Sequence, residues 1–273
     1  MVTQANINFH QTFKPEAYYI SSILRIADGT KGYSVSDISS LTGIPNGISS
    51  GKVEPHIYYA NYMGLIDFMR QNGEYILSRT ELGKVVYEED PGLHEELTKI
   101  LCHAMLCRNC KGADVWSVSF NQIFPKYKTG IEKDVFYKLI ENIIGSKANS
   151  KNIAPFFGSY LDMFASLLLL DSTDDKIFVK PLSYNQEYIY LYAYILFDLW
   201  DNQFPNEDEI SSMQLKELCF GSLFGWSDEY EYKILEHLSD ANLIRLNRQL
   251  MPYTILKLVS KNVLLNKLYS ELC

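Results

Sequence analysis

Along residues 16–27, EAYYISSILRIA, apolar side chains fall at Tyr19, Ile20, Ile23, Leu24 and Ala27, the spacing of one helix face. Asp28-Gly29-Thr30-Lys31-Gly32 reads as a turn. A second helix follows in VSDISSLTG, with Val35, Ile38 and Leu41 on one face and Ser34 or Ser36 as its cap. Gly43, Pro45, Asn46 and Gly47 break it. Ser49 or Ser50 can cap a third helix, with Pro55 in its first turn and Val53, Ile57, Ala60 and Met63 facing inward. Asn72-Gly73 then stands between two short apolar runs, the pattern of a hairpin. A closing helix begins at Thr80. Helix, helix, turn, helix, hairpin is the order of a winged helix-turn-helix, whose helix after the turn enters a DNA major groove.

Helical spacing dominates the middle of the chain, in HEELTKILCHAML and KDVFYKLIENII. Two apolar runs, 160–170 and 188–200, are too short and too polar to span a bilayer and read as buried helices. The last part repeats the first pattern. SSMQLKELCFG is a Ser-capped helix, and 225–244 is a turn and helix with Tyr232, Leu235, Leu238 and Leu243 at core spacing. In YANYMGLIDF and HLSDANLIRL alike, a helix ends in Gly or a small polar residue and Leu-Ile opens a strand. LIRL and LMPYTILKLVS then form a short wing. The expected fold is mainly α with small β-hairpin wings, tandem winged helix-turn-helix modules flanking a helical middle domain. The division is 1–92 for the N-terminal arm and first module, 93–205 for the middle, and 206–273 for the second winged-helix-like domain.

Charge narrows the function. The net charge of −8, from 25 Lys and Arg against 33 Asp and Glu, argues against indiscriminate polyanion binding. It leaves room for a local basic face. Residues 126–151 carry Lys126, Lys128, Lys133, Lys138, Lys147 and Lys151 against three acids. The segment 206–240 is acidic, and 244–273 is basic through Arg245, Arg248, Lys257, Lys261 and Lys267. Five cysteines and no secretion signal point to the reducing cytoplasm and no membrane association.

Ser49, Ser50 and Lys52 gather hydroxyls, backbone N–H groups and a cation at a helix N-terminus, where a DNA phosphate fits; the alternative is a capping turn. No GxxxxGK[ST] follows a strand, so a P-loop is excluded. On the helix after the turn, Glu54, His56, Tyr58, Asn61 and Tyr62 lie off the apolar stripe, and Asn61 can pair with adenine. Such a helix can equally dock another subunit. Arg70 at the wing tip can reach a minor groove or be solvated. Lys128, Lys147, Arg245 and Arg248 add electrostatic footing. Cys102, His103, Cys107 and Cys110 give only one C-x-x-C clip, so buried cysteines are favoured over a metal site. His10 reads as a hydrogen-bonded turn residue fixing the N-terminal arm, the alternative being a general base with no partner visible in the sequence. Asp171, Asp174 and Asp175 cluster in a loop where a metal could sit, though a solvated turn is the favoured reading. Glu231-x-Lys233 falls in a helical pattern, where a nuclease E-x-K would sit on a strand.

His10 and Phe13, and then Gly43-Ile44-Pro45-x-Gly47-x-Ser49-Ser50-Gly51-Lys52-Val53 with Tyr59-x-x-x-Met63-Gly64-Leu65-Ile66, resemble a bacterial family long classed as a domain of unknown function. Its members sit beside genes for DNA phosphorothioation: a cysteine desulfurase, an ATP pyrophosphatase and an ATPase. The resemblance implies a double-stranded-DNA-binding component of a phage-defence system, nicking DNA to assist sulfur insertion with Mg²⁺ or Mn²⁺ as cofactor. A homodimer is compatible with it. The competing readings are a non-catalytic scaffold for those partners and a winged-helix transcription regulator.

Overall fold

Ser34 caps its helix reciprocally with Asp37, and the hairpin turns on Asn72 and Gly73, both at positive φ, as their sequence signals require. In the computed structural model, which describes residues 7–47, 51–173, 175–249 and 252–272, these signals build the first of three similar units. It runs α1 (Ala17–Ile26), β1 (Asp28–Tyr33), α2 (Val35–Thr42), α3 (Val53–Tyr62), β2 (Ile66–Gln71) and β3 (Glu74–Arg79), closed by α4 (Glu81–Glu89). The sheet is antiparallel in the order β1-β3-β2. Residues 28–32, expected as a turn, are strand β1, bulged between Asp28 and Gly32 against β3. Leu41 is exposed, and Ile38 and Thr42 hold the inward positions of α2.

A buried strut, α5 (Glu96–Leu106), leads to the middle unit. There α6 (Asp114–Val118) extends through a π turn and a 3-10 turn to Lys126. β4 (Ile131–Glu132), α7 (Lys133–Ile144), α8 (Ser150–Leu161), β5 (Leu170–Ser172) and β6 (Lys176–Val179) follow. Their sheet has the order β4-β6-β5, so the middle, expected as mostly helical, also carries a small sheet. Its strands are two to four residues long, too short to show a period of two. Residues 160–170 are not one buried helix. α8 ends at Leu161, Leu168 takes a left-handed conformation, and both leucines are exposed.

The last unit opens with the buried helix α9 (Ile189–Gln203). It continues with β7 (Glu209–Ser211), α10 (Ser212–Leu218), α11 (Asp228–Asp240), β8 (Ile244–Asn247) and β9 (Thr254–Lys257), closed by α12 (Lys261–Asn266). Its sheet order, β7-β9-β8, repeats the first. Gly64 and Asn242, the small residues of the repeated sequence pattern, both adopt positive φ and turn the chain from helix into strand.

One core runs through all three units, centred on aromatic rings. Trp116 is fully buried, with edge contacts to Tyr59 and Phe156, and Phe9 of the N-terminal arm packs against it. Burying a side chain of this size contributes roughly 1.5–3 kcal/mol. Gly83 lets α4 approach the α3–β2 corner, because a Cβ there would overlap the Leu65 carbonyl at 1.8 Å.

Glu231 on α11 accepts the Gly221 N–H at 2.5 Å, and burial raises its pKa from 4.5 to about 7. The folded protein therefore holds this proton more tightly than the unfolded chain, and stability is lost as pH rises from 4.5 through 7. Glu231→Gln keeps an acceptor for Gly221. It is expected to stabilise the protein by about 1–3 kcal/mol at pH 8 and little at pH 5, read by urea unfolding. Destabilisation at pH 8 would contradict this placement.

Candidate nucleic-acid interface

The start of α3 is bound inward. Lys52 Nζ lies 2.6 Å from Glu16 Oε1 and sits over the Phe13 and Tyr19 rings at 5.6 and 5.3 Å. The hydrogen bond to Glu16 raises its pKa further. Ser49 and Ser50 lie outside the described residues. His56, expected among the exposed positions of α3, is fully buried. Its Nε2 accepts the Glu16 N–H at 3.1 Å and its Nδ1 donates to the Lys52 carbonyl at 2.7 Å. Burial lowers its pKa from 6.5 to about 4, which keeps the ring neutral. His56 thus ties the N-terminal arm to α3 and cannot reach DNA. It escaped the apolar-stripe reading because a bonded imidazole can occupy a core position.

Arg70, Arg248 and Asn61 are also engaged by internal partners. Arg70 pairs with Glu54 at 3.4 Å and lies over Tyr75, whose hydroxyl donates to the same carboxylate. Arg248 pairs with Glu236 at 2.7 Å and covers Tyr232. Asn61 Nδ2 donates to the Ile66 carbonyl at 2.9 Å. Arg245 is the exception: it is exposed on β8 and has no ion-pair partner among the described residues.

The middle unit differs. Lys128 and Lys147 are exposed, as are Lys126, Lys138 and Lys151, and none of the five has an ion-pair partner among the described residues. Lys147 and Lys151 flank the capped start of α8. There Asn149 and Asn152 cap each other and Asn152 Nδ2 donates to the Lys147 carbonyl at 2.8 Å. The third helices of the units carry different first turns. α3 has Glu54, α11 has Asp228, Glu229 and Glu231, and α8 has no acid. Charge repels phosphate from α11 and favours it at α8.

His10 is buried in the N-terminal arm. Its Nδ1 accepts the Thr12 N–H at 3.1 Å, and burial lowers its pKa to about 4. His103 donates from Nε2 to the Leu223 carbonyl at 2.7 Å and accepts from Tyr160 at Nδ1 at 2.9 Å, leaving no ring nitrogen for a metal. Cys102 and Cys107 are buried and Cys110 is exposed. Among the described residues, no three His, Cys, Asp or Glu side chains are grouped to hold a metal ion. Asp171 pairs with Lys180 at 2.8 Å, and Asp174 lies outside the described residues. Glu231 and Lys233 are helical, as their pattern predicted, and Lys233 pairs with Glu229 at 3.4 Å.

A cleft of about 670 Å³ opens where the first and last units meet over α5. Tyr58, Asn61 and Tyr62 of α3, with Phe68 of β2, form one wall. Its floor is a buried ion pair, Arg108 Nη1 to Asp198 Oδ2 at 3.0 Å. Lys261 joins Asp198 and Asp201 at 3.3 Å each, and Lys257 reaches Asp201 at 2.6 Å. Sequence reading missed this network. Its signals were an Asp inside the apolar run YILFDLW and an Arg next to buried cysteines.

The architecture is that of a mainly helical protein with small three-stranded antiparallel sheets, and no described helix is long and apolar enough to cross a membrane. Two solved structures share it. A crystal structure of SspB matches with a TM-score of 0.77 at 15% identity, covering 97% of this chain and 86% of that one. A magnesium-ion-bound crystal structure of SspB matches with a TM-score of 0.76 at 14% identity and the same coverage. At this identity the likeness is one of fold. No family model matches the chain, nor does any curated protein by sequence.

Proposed function

We propose that this protein is the duplex-DNA-binding component of a bacterial DNA phosphorothioation system. On this reading each three-stranded unit is a winged-helix module, and the middle module faces the phosphate backbone. The observation that carries it is the contrast in charge pairing. Lys52, Arg70 and Arg248 are neutralised by Glu16, Glu54 and Glu236, whereas Lys128, Lys147 and Lys151 are exposed without such partners among the described residues. Likeness to SspB across 97% of the chain supports the place in that system, and the family resemblance in the sequence adds cysteine desulfurase, ATP pyrophosphatase and ATPase partners. A homodimer would bring two such faces to one duplex.

The test is fluorescence anisotropy of a labelled duplex at low salt. Changing Lys128, Lys147 and Lys151 to Glu is expected to weaken binding at least about tenfold. The salt dependence should become shallower by roughly one power of salt concentration for each phosphate that is no longer neutralised. Lys233→Glu on α11 is expected to change little. Absence of wild-type binding would favour the scaffold reading, in which the acidic first turn of α11 docks a basic partner protein. In parallel, supercoiled plasmid with Mg²⁺ or Mn²⁺ tests for nicking. Among the described residues, no three His, Cys, Asp or Glu side chains are grouped to hold such an ion.

A further inference from the structure

The cleft between the first and last units has the chemistry of a site for one particular kind of ring. Tyr58 and Tyr62 stand near-parallel on α3, 6.4 Å apart between centroids with planes 28° apart, and Phe68 meets Tyr58 edge-on at 5.3 Å. All three are half-buried, so part of each aromatic surface faces the opening. Asn61 gives its amide N–H to the Ile66 carbonyl, and its Oδ1 has no hydrogen bond to the described residues. Asn262 on the opposite wall is exposed.

Charge then discriminates among ligands. The lining cations are Arg108, Lys111 and Lys261, and the lining anions are Asp67, Glu81 and Asp198. The signs balance, and Arg108 and Lys261 are already held by Asp198. A triphosphate or a run of backbone phosphates finds no net positive field there. An uncharged heteroaromatic with donor and acceptor edges finds stacking surfaces and amides. Stacking a base on an aromatic side chain contributes roughly 1–3 kcal/mol. The cleft volume lies within the usual range for small-molecule sites.

We infer that this cleft binds a nucleobase, stacked on Tyr58 and Tyr62 and addressed at its edge by Asn61 and Asn262. The base can come from a free nucleoside or from a nucleotide unstacked from DNA. The second source rests on the duplex-binding reading, and the ring chemistry does not.

The experiment uses the full chain and two probes, 2-aminopurine riboside and an oligonucleotide carrying 2-aminopurine at an unpaired position. Stacking on tyrosine quenches the probe. Asn262→Trp fills the cleft from an exposed position without removing packing. Saturable quenching is expected for the wild type, and Asn262→Trp should weaken it at least about fivefold. The triphosphate of the same base should bind no more tightly than the riboside. Quenching by the riboside supports the site with a free nucleoside as ligand. Quenching by the oligonucleotide alone supports it with DNA as the source. No quenching of either probe, or quenching that survives Asn262→Trp, overturns the inference. Anisotropy on an unmodified duplex in the same samples separates the two readings, because Asn262→Trp leaves Lys128, Lys147 and Lys151 in place.

Discussion

Acidification from pH 7 to pH 4 is expected to unfold the protein. His10, His56 and His103 are buried, each with its pKa lowered from 6.5 to about 4 by desolvation. Each is neutral in the fold and bonded as a neutral ring. A lowered histidine pKa means that the unfolded chain binds the proton first. The stabilisation is complete above pH 6.5 and is lost as pH falls toward 4. Each histidine then costs about 3 kcal/mol at pH 4, and the three together cost roughly as much as the whole stability of an ordinary domain. Glu231, which gains a proton in the fold, offsets about one of them. Unfolding near pH 5 should therefore take up about two protons net, read as the slope of unfolding free energy against pH. A stability that stays flat from pH 7 to pH 4 would show that these rings are not held neutral in the core.

The second large effect is expected at the cleft floor. Arg108→Ala should destabilise the protein by about 3–5 kcal/mol, because it leaves Asp198 buried with only Lys261 and Asn202 for company. Arg108 also donates to the Met105 carbonyl and approaches the Tyr62 carbonyl, so the change loosens α5 from α3 as well as from α9. The double change Arg108→Met with Asp198→Leu removes both charges and should recover much of the loss. An exposed pair gives the comparison: Lys84→Ala, which breaks the contact with Glu81, should cost less than about 1 kcal/mol. Urea unfolding with an unchanged m-value measures all three. A loss at Arg108 no larger than at Lys84 would mean that the pair is solvated.

The first unit was largely legible in the sequence because its signals are local. Ser34 with Asp37, Asn72-Gly73 and the apolar spacing of α1 and α3 each specify their own neighbourhood. The repeat of Leu-Ile after Gly64 and after Asn242 also survived into matching sheet orders. The middle sheet was hidden because two-residue β4 and three-residue β5 carry no period, and β4 pairs with β6 from a distant part of the chain. The candidate site was less legible than the fold. A lysine in the sequence does not say whether a carboxylate stands beside it, and Glu16 lies 36 residues from Lys52. His56 reads as polar in sequence, yet two backbone partners make it a core residue. Arg108 and Asp198, 90 residues apart, meet only when α9 packs against the end of α5.

These placements give the N-terminal arm and the outer modules an architectural part. The arm carries His10 and Lys14 to the middle module, where Lys14 pairs with Asp162. The outer modules close over α5 and form the cleft, and the basic turn before α8 stays open to solvent. On the proposed reading, the chain holds one phosphate-facing surface and one base-sized cleft on a single frame.

Lysine acetylation footprinting, with and without a bound duplex, tests that account most directly. The account predicts that duplex DNA slows acetylation of Lys128, Lys147 and Lys151 and leaves Lys233, beside Glu229 on α11, unprotected. Protection at Lys233 with none at Lys147 and Lys151, or no protection at any lysine, would contradict it.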